Sequence, residues 1–522
     1  MNKRKCIFTF FVLQILLQAS MAQSGPDAKI DIDLNQNSER ISPLIYGQFI
    51  EFLGRCINGG IMDENSPLSN EQGFRKDVMQ SIQDLKIPLL RFPGGTYVKI
   101  YHWKDGIGSK ANRPKRKNLI WGAVNDNHFG TAEFVSYCRQ IGAEPFLVVN
   151  MSTASGEEAA DWVEYCNGTG DSYWANLRRA HGYEKPFNVK YWGIGNEEYA
   201  EPDAGRDQRV GQYIEDSWQI LKLMKLQDSS IKITLVGNSE EQQWNKEVLS
   251  AMHPVCDFLS VHYYASPQDT TFTSLLKSVD NFNVGLDSMR HLLKDVPEKV
   301  QGFPQWYRFS PRKNSLKLAI DEWGIWDSKS GKGTGTYNLE YPYNWGHALA
   351  VGKFLNMFQR NADIIGLATW AQTVNVLAPI MTTRLGSYRQ TVYTPLQAYR
   401  TFTLANNLPI AVSAPELSGG LQSLDATASI SADNNELVLT VLSFSQYKPT
   451  NLKISFTGIQ AGWKMQLTYQ VSYTAPSLSA TNSIDKNVVS ETKNSGLLKS
   501  DKGFTLSVPA ASLNFYRFKI SK

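Results

Sequence analysis

The chain is predicted to be an α/β protein, a (β/α)8 barrel joined to an all-β, jelly-roll-like sandwich. Three observations predict this. From Tyr46 to Trp370, short apolar runs alternate with stretches of helical period, eight runs in all. The runs are apolar at consecutive positions, as in parallel strands covered on both faces. After about Leu404 the helical period vanishes, and short runs of period two appear among Ser, Thr, Asn and Gly.

Residues 1–22 open with Lys3, Arg4 and Lys5, continue as an apolar run from Cys6 to Leu17 and end in Ser20-Met21-Ala22. This is the pattern of a secretory signal cut after Ala22, with an uncleaved anchor as the alternative. It implies export to a periplasm, with the cell surface or the medium as alternatives. The run is short for a bilayer, and no later stretch reaches about 18 continuous apolar residues, so no membrane association is expected after signal removal. Within residues 23–44, Lys29-Ile30-Asp31-Ile32-Asp33-Leu34 alternates with period two and is expected to pair into the sandwich.

Residues 45–404 are assigned to the barrel. The first strand is expected over 45–52 and carries Glu51; a helix over 74–85 puts Phe74, Val78, Ile82 and Leu85 on one stripe. The second strand, 88–92, carries Arg91 and leads into a long loop, whose basic run 110–117 reads as solvated. A helix (131–141), a strand (145–150) and a helix (157–166) follow. The stretch 189–199 opens as the fourth strand on Val189, Tyr191, Trp192 and Ile194 and closes on Gly195, Asn196 and Glu197. The alternation continues with a helix over 206–227, a strand over 231–236, a helix over 241–252, a strand over 258–262 and a helical region over 274–293. A strand over 316–320, a helix over 343–360 and a strand over 364–370 complete it. Residues 405–522 supply the sandwich, with runs at 436–442, 452–456, 464–471 and 515–520.

At 522 residues, 42% apolar and 20% charged, the chain has room for two or three domains with a large core. The formal net charge of +4 falls to +1 once the three basic residues of the signal leave, so nucleic acid is not an expected partner. Cys56, Cys138, Cys166 and Cys256 are too scattered for a disulfide framework. CxxC, HExxH, GxSxG and Walker patterns are missing, so neither a metal nor a cofactor is expected.

The chemistry is carried by two acids. Glu197 closes the fourth strand behind Asn196, and Glu322 follows the strand at 316–320 in Asp321-Glu322-Trp323, with Trp326 close by. The C-terminal ends of barrel strands share one mouth, where active sites form. Two carboxylates there, with aromatic residues, point to glycoside hydrolysis: one carboxyl protonates the leaving oxygen, the other attacks the anomeric carbon or activates water. Glu198 is the less favoured of the two consecutive acids, because neighbouring side chains at a strand end point in different directions.

These residues sit in a longer set of motifs. TyrGlyGlnPheIleGluPheLeuGlyArgCysIle at 46–57, ArgPheProGlyGly at 91–95, AspGlyIleGly at 105–108 and PheGlyThrAlaGluPhe at 129–134 are four of them. ArgPro at 113–114, IleGlyAlaGluPro at 141–145, TrpValGluTyrCysAsn at 162–167, GlyAsnGlu at 195–197, AspGluTrp at 321–323 and AlaGlnThrValAsnValLeuAlaProIle at 371–380 complete the set. Across nearly the whole mature chain the sequence resembles the α-L-arabinofuranosidases of glycoside hydrolase family 51. The resemblance implies a retaining, exo-acting hydrolase that takes arabinose from arabinan, arabinoxylan or their oligosaccharides, with Glu197 as acid/base and Glu322 as nucleophile. It implies that Glu51, Asn196 and Gln372 bind the sugar, that Tyr264 hydrogen-bonds the nucleophile and that Trp326 walls the pocket; Asn375 is a weaker match. Arg91 either orients a carboxylate or forms a structural ion pair, and His262 either lines the site or is a satisfied core histidine. Thr96 stands where the family often has Asn, and Asn127-His128 also departs from its pattern; both positions are expected to border the sugar. A homo-oligomer is a further expectation from the family. The alternatives are a β-xylosidase or endo-glucanase of the same clan, or a non-catalytic carbohydrate-binding protein.

Overall fold

The computed structural model describes residues 27–200, 209–299, 309–329, 333–496, 498–500 and 503–521. The expected signal lies outside them, as does the start of the helix expected from 206. Eight parallel strands close into a barrel: β1 (Gly47–Phe49), β2 (Leu89–Phe92), β3 (Glu144–Val149), β4 (Tyr191–Ile194), β5 (Lys232–Val236), β6 (Phe258–Ala265), β7 (Lys317–Ile325) and β8 (Ile365–Ala371). Each pairs with the next in sequence, and β8 returns to β1. β2, β4 and β8 are buried at every position, which is why their sequences read as unbroken apolar runs. The helices are α1 (Lys76–Leu85), α2 (Thr131–Ile141), α3 (Gly156–Asn167), α4 (Tyr173–Ala180), α5 (Val210–Gln227), α6 (Gln242–Met252), α7 (Phe272–Lys299), α8 (Trp345–Arg360) and α9 (Tyr393–Phe402). No helix among the described residues is long and apolar enough to cross a membrane.

Several elements differ from their sequence expectation. The first strand is shorter, because Pro43–Tyr46 winds into a 3-10 turn capped by the Ser42 hydroxyl, and Glu51 stands beyond the strand end. Helix α4 has no counterpart in the reading. Its buried residues are Ala175 and Arg178, and the Arg178 guanidinium donates to the carbonyls of Tyr165, Gly168 and Tyr183, so a cation fills the place of an apolar stripe. The basic run at 110–117 is not simply solvated: Arg113 is buried and forks onto Glu133 at 2.9 and 3.0 Å.

Strand β7 does not stop before the acids. It runs through Asp321 and Glu322 to Ile325, and its register slips there: Ala319 faces Ser260 of β6, but Glu322 faces His262. The extra residue is a β-bulge, which re-aims side chains locally. It brings the consecutive carboxylates of Asp321 and Glu322 to the same guanidinium, that of Arg91.

The sandwich has a four-stranded sheet and a larger one. In the smaller sheet, Ala28–Asp33 pairs parallel with Thr450–Thr457 and antiparallel with Ile410–Ser413, so the start of the described chain lies between strands from its end. Thr450–Thr457 buries every second residue, as its period-two sequence requires. The strand Glu436–Ser443 is instead buried at nearly every position, because one face meets α8. Gly352 permits that approach: a Cβ there would stand 2.8 Å from a Leu442 methyl group. Helix α8 is buried from Trp345 to Gln359 and joins barrel and sandwich in one continuous core.

Candidate active site

The mouth of the barrel gathers residues from six strand ends around Arg91. This guanidinium lies 1% exposed on β2, over the ring of Phe49 at 4.8 Å. One terminal nitrogen donates to Glu322 Oε1 at 2.9 Å, the other donates to Asn196 Oδ1 at 2.7 Å, and Nε is 3.3 Å from Asp321 Oδ2. The two readings left open for Arg91 are both true of it: it is a buried ion pair, and it orients a carboxylate. Burial alone would lower its pKa, but Asp321 and Glu322 outweigh burial and raise it.

Glu322 also accepts the Tyr264 hydroxyl proton at 3.0 Å on Oε2. Burial, followed by the charge of Glu322, pushes the Tyr264 phenol well up, so it stays a neutral donor. Loop glycines make room for the acids. A Cβ on Gly95 would meet Glu322 Oε1 at 2.5 Å, and one on Gly94 would meet Glu51 Cγ at 2.5 Å.

Glu197 follows β4 with φ of 47°, a left-handed backbone that side chains seldom adopt. Its Oε1 lies 2.8 Å from His262 Nδ1. Lys99 donates to the Glu197 and Ala200 carbonyls at 3.2 and 3.4 Å and fixes this turn. Glu198 is fully buried and faces the other way: its Oε1 accepts the Asn196 backbone N–H at 3.1 Å and its Oε2 the Ser152 hydroxyl at 3.1 Å. Of the two consecutive acids, then, Glu197 faces the cluster and Glu198 supports the loop. With Oδ1 taken by Arg91, Asn196 presents a buried Nδ2 that has no hydrogen-bond partner among the described residues.

Glu51 follows β1, two residues past its end. Its carboxylate accepts the Tyr97 amide at 2.9 Å, the Trp121 indole N–H at 3.0 Å and the Gln372 amide at 2.8 Å. Burial and then the charge of Glu322 lift its pKa to about 7, against the pull of those donors. Gln372 keeps a buried Oε1 without a hydrogen-bond partner among the described residues. Trp326 is 44% exposed and meets the Tyr264 ring edge-on at 5.9 Å, at the rim. Thr96 is half-buried at the start of the turn Thr96–Ile100, and the contact to Glu51 there comes from the next residue, Tyr97.

Two positions stand further back than expected. His128 pairs with Glu64 at 2.7 Å, and Asn127 donates to the Pro114 carbonyl, so they shape the loop rather than the acid cluster. Asn375 is buried and spends its amide on Arg55 and Thr382. Trp121, which donates to Glu51, is a side chain of this cluster that sequence reasoning missed. It lies in the loop between Arg116–Lys117 and Val124–Asn125, which has no periodicity, and its only signal there is a lone Trp beside the basic run.

One oxygen of Glu197, one of Glu322 and a ring nitrogen of His262 all lie within 4.8 Å of one another. Burial would lower the His262 pKa, but Glu322, Asp321 and Glu197 outweigh burial and lift it to about 10. Burial raises Glu197, but the hydrogen bond and charge of His262 outweigh it and hold this carboxyl below its usual range.

Comparison with known proteins agrees with this geometry. Residues 81–283 match the family profile described as "Alpha-L-arabinofuranosidase 1 domain", and residues 321–512 match "Alpha-L-arabinofuranosidase C-terminal domain". The chain is 38% identical to alpha-L-arabinofuranosidase C of Emericella nidulans over 390 residues, 72% of this chain and 74% of that protein. It is 31% identical to intracellular exo-alpha-(1->5)-L-arabinofuranosidase 1 of Bacillus subtilis over 510 residues, 94% and 99% of the two. The crystal structure of the alpha-L-arabinofuranosidase from Thermotoga maritima, an arabinose complex, superposes with a TM-score of 0.83 at 33% identity, covering 94% of this chain and all of that one. The chain belongs to the α-L-arabinofuranosidases of glycoside hydrolase family 51.

Proposed function

We propose that the protein is a retaining, exo-acting α-L-arabinofuranosidase that releases terminal arabinofuranose from arabinan, arabinoxylan or their oligosaccharides by double displacement. The observation that carries the retaining mechanism is the approach of the Glu197 and Glu322 carboxylates to within 4.8 Å between oxygens. Retaining enzymes hold the pair about 5–5.5 Å apart, and an inverting enzyme needs a wider gap for water.

Glu322 is the nucleophile: Arg91 and Tyr264 each hold one of its oxygens, so the carboxylate is fixed in place for attack. It attacks the anomeric carbon while the Glu197 carboxyl protonates the leaving oxygen. Once Glu322 is esterified its charge is gone, and Glu197, now a carboxylate, takes a proton from the water that attacks the ester. The free Nδ2 of Asn196 is placed to donate to the sugar 2-OH, and Glu51 with Gln372 to bind further hydroxyls. The relative from Bacillus subtilis, whose name specifies exo action on (1→5) linkages, supports the same reading.

The test is hydrolysis of branched and debranched arabinan and arabinoxylan, with the anomer of the first-formed arabinose read by NMR. Release of single arabinose residues as the retained anomer is expected. The inverted anomer, or internal cleavage without free arabinose, would refute the proposal.

A further inference from the structure

His262 stands in a chain of hydrogen bonds that fixes more than its position. Asp321 Oδ1 accepts from Ser260 Oγ at 2.5 Å, and Ser260 Oγ lies 3.2 Å from His262 Nε2. A hydroxyl has one proton. Asp321, an ionised carboxylate held by Arg91, can only accept, so the Ser260 proton points to Asp321 and a Ser260 lone pair faces Nε2. Nε2 therefore carries a hydrogen. In the neutral imidazole Nδ1 is then a bare lone pair, directed at Glu197 Oε1 from 2.8 Å. A lone pair facing a carboxylate oxygen is repulsive unless one proton lies between them.

We propose that Ser260 and Asp321 are positioning residues that lock His262 as the Nε2–H tautomer, so that His262 and Glu197 together retain one proton and His262 stores it for the acid. The inference rests on Glu197 being the acid/base. In the first step the Nδ1–H bond breaks, its electron pair stays on Nδ1, and the proton neutralises the Glu197 carboxylate. The carboxyl then protonates the glycosidic oxygen, which keeps the electrons of the breaking C1–O bond. In the second step water loses one proton to Glu197 as its oxygen bonds C1 and the Glu322 ester C–O bond breaks, and that proton returns to Nδ1. One proton leaves with the aglycone and one is regained from water.

The charged groups around the imidazole favour the store. Glu197 faces it from the end of β4, and Asp321 and Glu322 face it from β7 at 3.4 and 3.7 Å. Arg91 opposes them from β2 but is already committed to both β7 acids, and Lys99 acts on Glu197 from the turn after β2. Glu51 and Glu322 repel each other through their charges. The lock predicts the basic limb of kcat/KM. Losing the last proton of the pair exposes the repulsion, so the limb is pushed to high pH. Without the lock, neutral His262 flips its tautomer, donates from Nδ1 to the Glu197 carboxylate, and the pair gives up its proton earlier.

The experiment is the kcat/KM pH profile of the wild type, Ser260→Ala, Ser260→Thr and Glu197→Ala on phenyl and 2,4-dinitrophenyl arabinofuranosides, with 15N NMR of the His262 ring. Ser260→Ala is expected to move the basic limb down by about 1–2 pH units, the worth of one hydrogen bond to a charged group. It should cost more on the phenyl substrate than on the dinitrophenyl one, and Ser260→Thr should restore the limb. The ring nitrogens should report Nε2–H in the wild type at high pH. An unmoved basic limb in folded Ser260→Ala, or an Nδ1–H tautomer in the wild type, overturns the proposal. Glu197→Ala separates the two readings. If it leaves leaving-group dependence unchanged, the acid assignment itself fails; if it imposes that dependence and Ser260→Ala leaves the limb in place, only the store fails.

Discussion

Arg91 holds Glu322 at 2.9 Å, tying β2 to β7 across the barrel mouth between residues 231 apart in sequence. The same guanidinium reaches Asp321 and Asn196. Removing it takes the guanidinium from two buried carboxylates, and loss of one partner of a buried pair costs about 3–5 kcal/mol where it has been measured. Arg91→Met is expected to lower stability by that order, read by chemical denaturation, and to abolish turnover. Retention of wild-type stability would show that Asp321 and Glu322 are held by other groups.

Replacing Glu322 tests the nucleophile directly. Glu322→Ala is expected to lose turnover on aryl arabinofuranosides and to regain it with azide. The azide product would have the inverted configuration, because a small anion fills the vacated space and attacks once. Near-normal activity without azide would remove Glu322 from the mechanism.

The Tyr264 hydroxyl contributes a hydrogen bond to an ionised group, worth about 1.5–3 kcal/mol. Tyr264→Phe is therefore expected to lower kcat/KM by about 10- to 100-fold with the fold intact. Since the contact is to the nucleophile, kcat should carry the loss more than KM. An effect confined to KM would place Tyr264 on the sugar instead.

Glu51 links the site to stability. Its carboxyl titrates at about 7 in the folded chain, above an ordinary glutamate in the unfolded one, chiefly through burial and then Glu322. A raised acid favours the folded state while it is protonated. The contribution is complete below about pH 4.5 and is lost as pH rises through 7, at most about 3 kcal/mol. Glu51→Gln, which does not titrate, should reduce the fall in stability between pH 5 and pH 8 by up to that amount. An unchanged slope in denaturation curves would assign the pH dependence elsewhere.

How much of this was legible in the sequence follows from burial. β2, β4 and β8 are covered on both faces, so their apolar runs and the acids or amides at their ends stand out. The β7 bulge was not legible. A strand that carries Asp321 and Glu322 inside its own length reads as a strand that has ended, and only the register with β6 shows the slip. Helix α4 was hidden for the converse reason, since Arg178 occupies a position where periodicity looks for a hydrophobe. The family motifs marked Glu51, Arg91 and Gln372. The donors that Glu51 receives from Tyr97 and Trp121 depend on loop geometry that no spacing rule encodes.

Trp121 and Tyr337 meet edge-on at 5.6 Å, and the Tyr337 hydroxyl donates to the Ile120 carbonyl at 3.3 Å. The loop after β7 thus braces the loop that delivers the indole N–H to Glu51. Trp121→Phe keeps the ring contact and removes the donor, whereas Tyr337→Ala keeps the donor and removes the brace. Both should weaken competitive inhibition by arabinose, Trp121→Phe by about 10-fold for one hydrogen bond to a charged acceptor. Only Tyr337→Ala should also increase proteolytic cleavage around 116–125, because its effect acts through loop order. If Trp121→Phe binds arabinose as tightly as the wild type, the indole N–H serves only to hold Glu51 in place and contributes nothing to the sugar.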